Sequence, residues 1–206
     1  MIDFESEYRS QGLHVAGIDE AGRGSLAGPV VAAAVILNDM NLLDEGINDS
    51  KVLSVRKRDL LFDVIANNSI AYNYHMIDNI RIDDINILKA THLAMRNAVV
   101  EMKIKPGILL IDGNSYSYKD IPYKTIIDGD AKCLSVAAAS IIAKVTRDKW
   151  MTEVAHSEFP MYKFDKNKGY GTKEHFEAIR QFGPCKYHRM SFLKKFKSAQ
   201  IEQSIF

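Results

Sequence analysis

At 206 residues the chain is long enough to bury a core without help. Its two cysteines, Cys133 and Cys185, form no CxxC pair, which argues against a disulfide-stapled module or a zinc ribbon and predicts a reducing, cytoplasmic setting. With 27 Lys and Arg against 26 Asp and Glu, the net charge of +1 announces no polyanion partner. The longest apolar run, Val30–Leu37, is too short to span a bilayer, and the acidic, polar stretch Met1–Gln11 does not read as a signal peptide.

In chain order, Leu13–Ile18 and Val30–Leu37 read as strands rich in Val, Ile and Ala, buried on both faces. Leu53–Ala66 reads as an amphipathic helix and Ala71–Ile77 as a third strand. A long helix is predicted over Asp83–Lys103, stopped by Pro106-Gly107. Short strands follow at Ile108–Ile111 and Lys124–Ile127. Ser135–Trp150 is helical, and its centre, Ala137-Ala138-Ala139-Ser140, is small enough to press closely on a sheet. Helices at Thr172–Gln181 and Met190–Lys197 flank Gly183-Pro184. The pattern predicts an α/β fold: a mixed sheet flanked by helices, with residues 1–160 as core and 161–206 as a C-terminal helical extension, packed as one unit.

The chemistry concentrates in acids at strand ends. Asp19-Glu20-Ala21-Gly22-Arg23-Gly24 joins the first apolar run to the second; a charged hairpin is the plain alternative. Asp112 follows Ile108–Ile111, and Asp130 lies just before the alanine-rich helix. Alone, Asp112 reads equally well as a turn former and Asp130 as a helix cap. Together, four hard oxygen donors with no accompanying Cys or close His select Mg2+ or Mn2+. Two ions about 3.5–4 Å apart suit phosphoryl transfer. Neighbours in a regular strand point oppositely, so Asp19 and Glu20 share a site only if the chain bulges or turns there. Asp148, eighteen residues after Asp130, falls roughly 27 Å along a straight helix and is left outside the set unless the intervening chain folds back. Between Lys163 and Lys197 ten Lys or Arg stand against three Asp or Glu, interleaved with aromatic residues; a nucleic-acid surface and a solvated helical region fit equally.

The chain resembles type 2 ribonuclease H, ribonuclease HII. The resemblance rests on Gly17-Ile18-Asp19-Glu20-Ala21-Gly22-Arg23-Gly24, Leu26-Ala27-Gly28-Pro29-Val30-Val31, Asp49-Ser50-Lys51 and Asp112-Gly113-Asn114. It continues through Gly129-Asp130-Ala131, Ala137 to Asp148, Gly169-Tyr170-Gly171-Thr172, and Gly183-Pro184 with His188-Arg189. It implies a ribonuclease H-like fold and a metal-dependent endonuclease acting on RNA–DNA hybrids and on single ribonucleotides embedded in duplex DNA. The implied catalytic and metal-binding acids are Asp19, Glu20, Asp112 and Asp130, with two Mg2+ or Mn2+ ions. Gly22, Arg23 and Gly24 are implied to sense the sugar and Tyr170 to stack on one. Ser25 stands where many members have proline, and Val52 where a second lysine beside Lys51 is common.

Peptide groups at Gly22-Arg23-Gly24 can meet a 2′-hydroxyl as both donor and acceptor. Arg23, Lys51, Lys144 and Arg147 are candidate phosphate contacts; for the helical Lys144 and Arg147 a surface ion pair is the preferred reading. His14, His75 and His92 are expected in core or edge positions, and His156 and His175 on charged helix faces. His188 reads equally as a phosphate contact and as surface packing. The C-terminal Gln203-Ser204-Ile205-Phe206 loosely resembles peptides that dock on sliding clamps, and a frayed tail is the preferred reading. The chain is expected to act as a monomer.

Overall fold

The computed structural model describes residues 4–38, 46–47 and 53–194. Lys51 and Val52, and the clamp-like tail at 203–206, lie outside the described residues. A short helix, α1 (Ser6–Ser10), precedes β1 (Val15–Ala21) and β2 (Val30–Leu37). Then come α2 (Val55–Asn68), β3 (Ser69–Ile77), α3 (Asn79–Ile85) and α4 (Ile87–Val100). Next are β4 (Ile108–Asp112), β5 (Tyr123–Ile126), α5 (Gly129–Lys132) and α6 (Leu134–Trp150). A π-helical stretch (Met151–His156) prolongs α6, and α7 (Phe164–Asn167) and α8 (Lys173–Phe182) complete the series.

The five strands form one sheet in the order β3-β2-β1-β4-β5. β2 pairs antiparallel with both β1 and β3, whereas β1–β4 and β4–β5 are parallel. The unbroken apolar run of β2 follows from cover on both faces. Val31, Ala33, Val35 and Leu37 pack toward α2 and α6; Val30, Ala32, Ala34 and Ile36 pack toward α3 and α4.

The small residues of α6 sit as the sequence predicts. Every residue from Leu134 to Ala143 is buried. Gly17 of β1 completes the fit, because a Cβ there would lie 2.0 Å from the Ser135 carbonyl carbon. The helix backbone rests directly on the strand, and any side chain at position 17 would push the two apart.

Three predicted elements differ from what forms. The single helix over Asp83–Lys103 is two helices, because Asn86 adopts φ +70° and ψ 162°, well outside the helical region, and its side chain accepts from the Lys89 N–H to start α4 afresh. β1 begins later and runs further than Leu13–Ile18, so that Asp19 and Glu20 lie within the strand. Of the helix expected over Met190–Lys197, Met190–Leu193 forms turns, tied to α3 by Asp83, which accepts from the backbone of Met190 (2.7 Å) and Ser191 (3.0 Å); residues 195–197 lie outside the described residues. A small third cluster joins Ala27, Met151 and Ala155 to Tyr162, Phe164, Ile179 and Leu193, so apolar contacts cross the expected boundary at residue 160.

Candidate active site

A cleft of about 240 Å³ opens at the end of β1, lined by Asp19, Glu20, Asp112, Ser140, Lys144, Tyr170 and the turn from Gly22 to Gly24. Asp19, Glu20 and Asp112 come together with neither the bulge nor the turn that strand alternation calls for. The β1–β2 register runs regularly through Asp19↔Ala33 and Glu20↔Ala32. What differs is the other side: the last β1–β4 pair is Ile18↔Ile111, so Asp19 stands level with Asp112, the final residue of β4, and Glu20 and Ala21 run past its end. No neighbouring strand there separates the two faces, and side chains from both line one opening.

Asp19 and Asp112 share the α6 side of the sheet. Asp19 is 5% exposed. It accepts from the Glu20 N–H at 2.7 Å. Burial, reinforced by the charges of Glu20 and Asp112, pushes its carboxyl well above the usual carboxylate range, against hydrogen bonds from Ser140 and the Glu20 backbone. Asp112 accepts from the Gly129 N–H at 2.7 Å, which fixes the start of α5 beside β4. Asp130 is buried on the first turn of that helix and is not among the residues lining the cleft. Among the described residues, no three His, Cys, Asp or Glu side chains form a preformed metal cluster. The cleft is an open set of oxygen donors, the arrangement that suits a hard cation completing its shell with water and phosphate.

The turn after the acids is held from beneath. Arg23 points outward, its side chain 51% exposed and 3.4 Å from Glu20. A Cβ on Gly24 would meet open space. Gly22, at φ +89°, is different: a Cβ there would fall 1.8 Å from Nε of Arg147. One glycine leaves room on the outer side of the turn, and the other packs on a guanidinium. The Ser25 hydroxyl donates to the Gly22 carbonyl (2.8 Å) and accepts from Arg147 Nη2 (2.7 Å), so this departure from the common proline ties the turn by hydrogen bonds.

Arg147 is therefore neither a phosphate contact nor part of a surface ion pair; it is fully buried. Arg189 is equally buried and donates to the carbonyls of Gly28 (3.0 Å) and Arg23 (3.0 Å). Lys144 does form an ion pair, with Asp148 at 3.0 Å, while its ammonium sits 5.5 Å from the centre of the Tyr170 ring. Asp148 lines a neighbouring hollow with Arg58, Lys149 and Lys168, not the acidic cleft.

Tyr170, 37% exposed, faces the acids from the loop between α7 and α8. Beneath it lies a histidine pair that the sequence misplaces: His175 and His188 are buried, not on a charged face or surface. The Cys185 N–H donates to His188 Nδ1 (2.9 Å), the two Nε2 atoms meet at 3.1 Å, and His175 Nδ1 reaches the Tyr170 carbonyl at 2.9 Å. One proton assignment satisfies the whole chain with both rings neutral: His188 donates to His175, and His175 donates to Tyr170. Burial and the neighbouring His175 pull His188 down to about 4. His14 is exposed and His92 buried.

The sequence model of the Ribonuclease HII family matches residues 16–195. The chain belongs to this family. The Ribonuclease HII of Caldicellulosiruptor bescii is 48% identical over 198 residues, covering 96% of this chain and 95% of the relative. That of Syntrophus aciditrophicus is 50% identical over 206 residues, 100% of this chain and 96% of the relative. Among solved structures, ribonuclease H2 of Pyrococcus horikoshii superposes with a TM-score of 0.70 at 26% identity, covering 90% of this chain and 97% of that one. The ribonuclease HII of Archaeoglobus fulgidus, solved in a PCNA:RNase HII complex, gives 0.75 at 26% identity, covering 86% and 94%. As a member of this family the chain is an endoribonuclease, a hydrolase that cuts the RNA strand of RNA–DNA hybrids.

Two contributors to this cleft and its turn do not stand out in the sequence. Ser140 reads in sequence only as a small residue, yet it is one helical turn before Lys144, and both line the cleft. Arg189, named only as a partner of His188, holds the turn more than 160 residues before it in sequence. Spacing along one helix could have found Ser140; no local signal could have found Arg189.

Proposed function

We propose that the chain cuts RNA–DNA hybrids, and duplex DNA on the 5′ side of single embedded ribonucleotides, leaving 3′-hydroxyl and 5′-phosphate ends. The observation that carries this reading is the cleft itself: Asp19, Glu20 and Asp112 share one opening with the Gly22–Gly24 turn and Tyr170. We assign Asp19, Glu20, Asp112 and Asp130 as the acids that hold Mg2+ or Mn2+, two ions in the active complex. The all-oxygen donor set fits, as does an Asp19 raised first by burial and then by its acidic neighbours, since a cation relieves that repulsion. When bound, the ions supply an activated water and charge stabilisation at the leaving oxygen.

Each protein group then has a distinct task. Peptide groups of Gly22-Arg23-Gly24 receive the 2′-hydroxyl, and a deoxyribose there leaves them unpaired at about 1–3 kcal/mol per buried group. Tyr170 packs its ring on the following sugar, and Arg23 and Lys51 contact phosphate. The 2′-hydroxyl reports sugar identity and is not the nucleophile. The chain acts as a monomer in the cytoplasm; among the described residues no helix is long and apolar enough to cross a membrane. Residues 203–206 are proposed to dock on a sliding clamp, a reading supported by the PCNA complex of the Archaeoglobus relative.

End-group analysis of a duplex with one ribonucleotide tests the chemistry. A 5′-phosphate on the ribonucleotide fragment is expected, and a 2′,3′-cyclic phosphate among primary products overturns it. Pull-down with and without the last seven residues tests the clamp contact.

A further inference from the structure

Arg147 is a large, charged side chain with no exposed surface. Its guanidinium donates to four acceptors: the carbonyls of Pro29 (2.9 Å), Ala27 (3.1 Å) and Lys168 (2.9 Å), and the Ser25 hydroxyl (2.7 Å). Burying a charge among neutral dipoles is expensive, and an apolar side chain of similar volume would hold a core at least as well. A guanidinium in this position therefore calls for an explanation other than packing.

Its partners supply one, because they fall on two loops. Pro29, Ala27 and Ser25 belong to the segment that carries the turn, and Gly22 itself lies against the guanidinium nitrogen. Lys168 belongs to the segment that carries Tyr170, whose ring centre lies 5.4 Å from the guanidinium carbon. Five donors in a rigid plane fix both loops against one body. Arg189 braces the turn as well, through Arg23 and Gly28. The loops keep a second link, in which the Leu26 N–H donates to the Gly169 carbonyl at 2.8 Å.

We infer that Arg147 is a positioning residue that sets the spacing between the ribose-reading turn and the Tyr170 ring, and thereby the preference for a ribonucleotide followed by a deoxyribonucleotide over an uninterrupted hybrid. This rests on the roles proposed above for the turn and for Tyr170. The first sugar is read by the turn and the second by the ring, so only a fixed distance between them makes the two readings one test. An uninterrupted hybrid satisfies the turn at every step and depends less on the ring.

The experiment compares kcat/KM on a duplex carrying one ribonucleotide with kcat/KM on a continuous RNA–DNA hybrid. In Arg147→Lys, a flexible ammonium replaces the planar fork and reaches fewer of the four acceptors. The ratio of the two values is expected to fall about tenfold, with hybrid cleavage reduced less. In a Tyr170→Ala background the same change should move the ratio little, because the spacing no longer has a second reader. A merely structural role lowers both activities together and leaves the ratio where it was, which overturns the inference. Should Arg147→Lys fail to fold by circular dichroism, Ser25→Ala decides the matter: it removes the shortest Arg147 contact and is expected to lower the ratio roughly threefold, and an unchanged ratio overturns the inference. If the wild-type enzyme itself does not cut at a single ribonucleotide, the proposed function falls and this role falls with it; a wild-type preference that survives both substitutions removes the role of Arg147 alone.

Discussion

Two buried carboxylates show how one residue chemistry serves opposite ends. Glu5, 1% exposed, accepts from the Ser135 N–H (2.9 Å) and Cys133 Sγ (3.1 Å) and pairs with Arg9 at 2.7 Å. Cys133 gives α6 no side-chain cap, so Glu5 reaches across from the N-terminal segment to cap it, with a negative charge at the positive end of the helix. Burial, then the Glu5 charge, pushes the Cys133 thiol up to about 12, leaving it an inert core group. Asp19 is as deeply buried but faces Glu20 and Asp112. Glu5 is surrounded by donors and a cation, whereas Asp19 has donors from Ser140 and the Glu20 backbone but, among the described residues, two acids and no cation against it. The first arrangement stabilises the fold, and the second gathers acids at the place proposed above for a cation.

The sharpest break in this comparison is Asp112→Asn. It should cut turnover roughly 10³-fold in magnesium, while melting temperature and duplex binding stay near wild type because one repelling charge is gone. Near-wild-type turnover removes Asp112 from the proposed metal set, and the same assay applies to Asp19, Glu20 and Asp130.

Glu5→Ala should do the reverse. Losing the cap and its buried acceptor should lower unfolding free energy by about 3 kcal/mol, with little change in turnover per folded molecule. Denaturant unfolding checks the first half and active-site-normalised kinetics the second; a loss of turnover in fully folded protein would place Glu5 among the functional acids.

A pH series sharpens the contrast with a third kind of buried group, one kept neutral. Burial, then the neighbouring His175, holds His188 down at about 4 in the folded protein, against 6.5 for an unburied imidazole. Between those values the unfolded state binds more protons, so stability rises with pH: the His188 contribution is complete above 6.5 and is lost as pH falls toward 4. The slope is at most about 1.4 kcal/mol per pH unit from this group. His188→Gln should flatten that part of the profile, and an unchanged slope shows that other groups set it.

The smallest effect concerns Arg23, the exposed cation beside Glu20. Arg23→Gln should weaken duplex binding and reduce the log–log salt slope by about 0.9, the signature of one phosphate contact. An unchanged slope in fluorescence-anisotropy titrations places Arg23 in the Glu20 pair alone.

Much of this architecture is legible in the chain. The doubly buried β2 shows in its run of Val, Ala and Ile, and the close approach of α6 in its alanines, because burial on both faces and tight contact leave local marks in composition. Asp19, Glu20 and Asp112 could be picked out because acids at the ends of apolar strands stand out against their neighbours. Which way buried cations face leaves no such mark. Arg147 and His175 read as surface groups, since a charged or polar residue on a helix is usually exposed and only long-range partners reverse that, and nothing local marks His188 or Arg189 as buried.

By itself, then, the sequence determined the order of the elements, the family, and the run of acids and glycines that marks the cleft, because those depend on period, composition and local order. Only the tertiary structure decided that β1 outruns β4, so that two alternating side chains share one opening. It alone set a buried arginine beneath the turn and the tyrosine together. Those outcomes depend on where strands end relative to one another and on which carbonyls a distant loop presents, and no window of sequence contains that information.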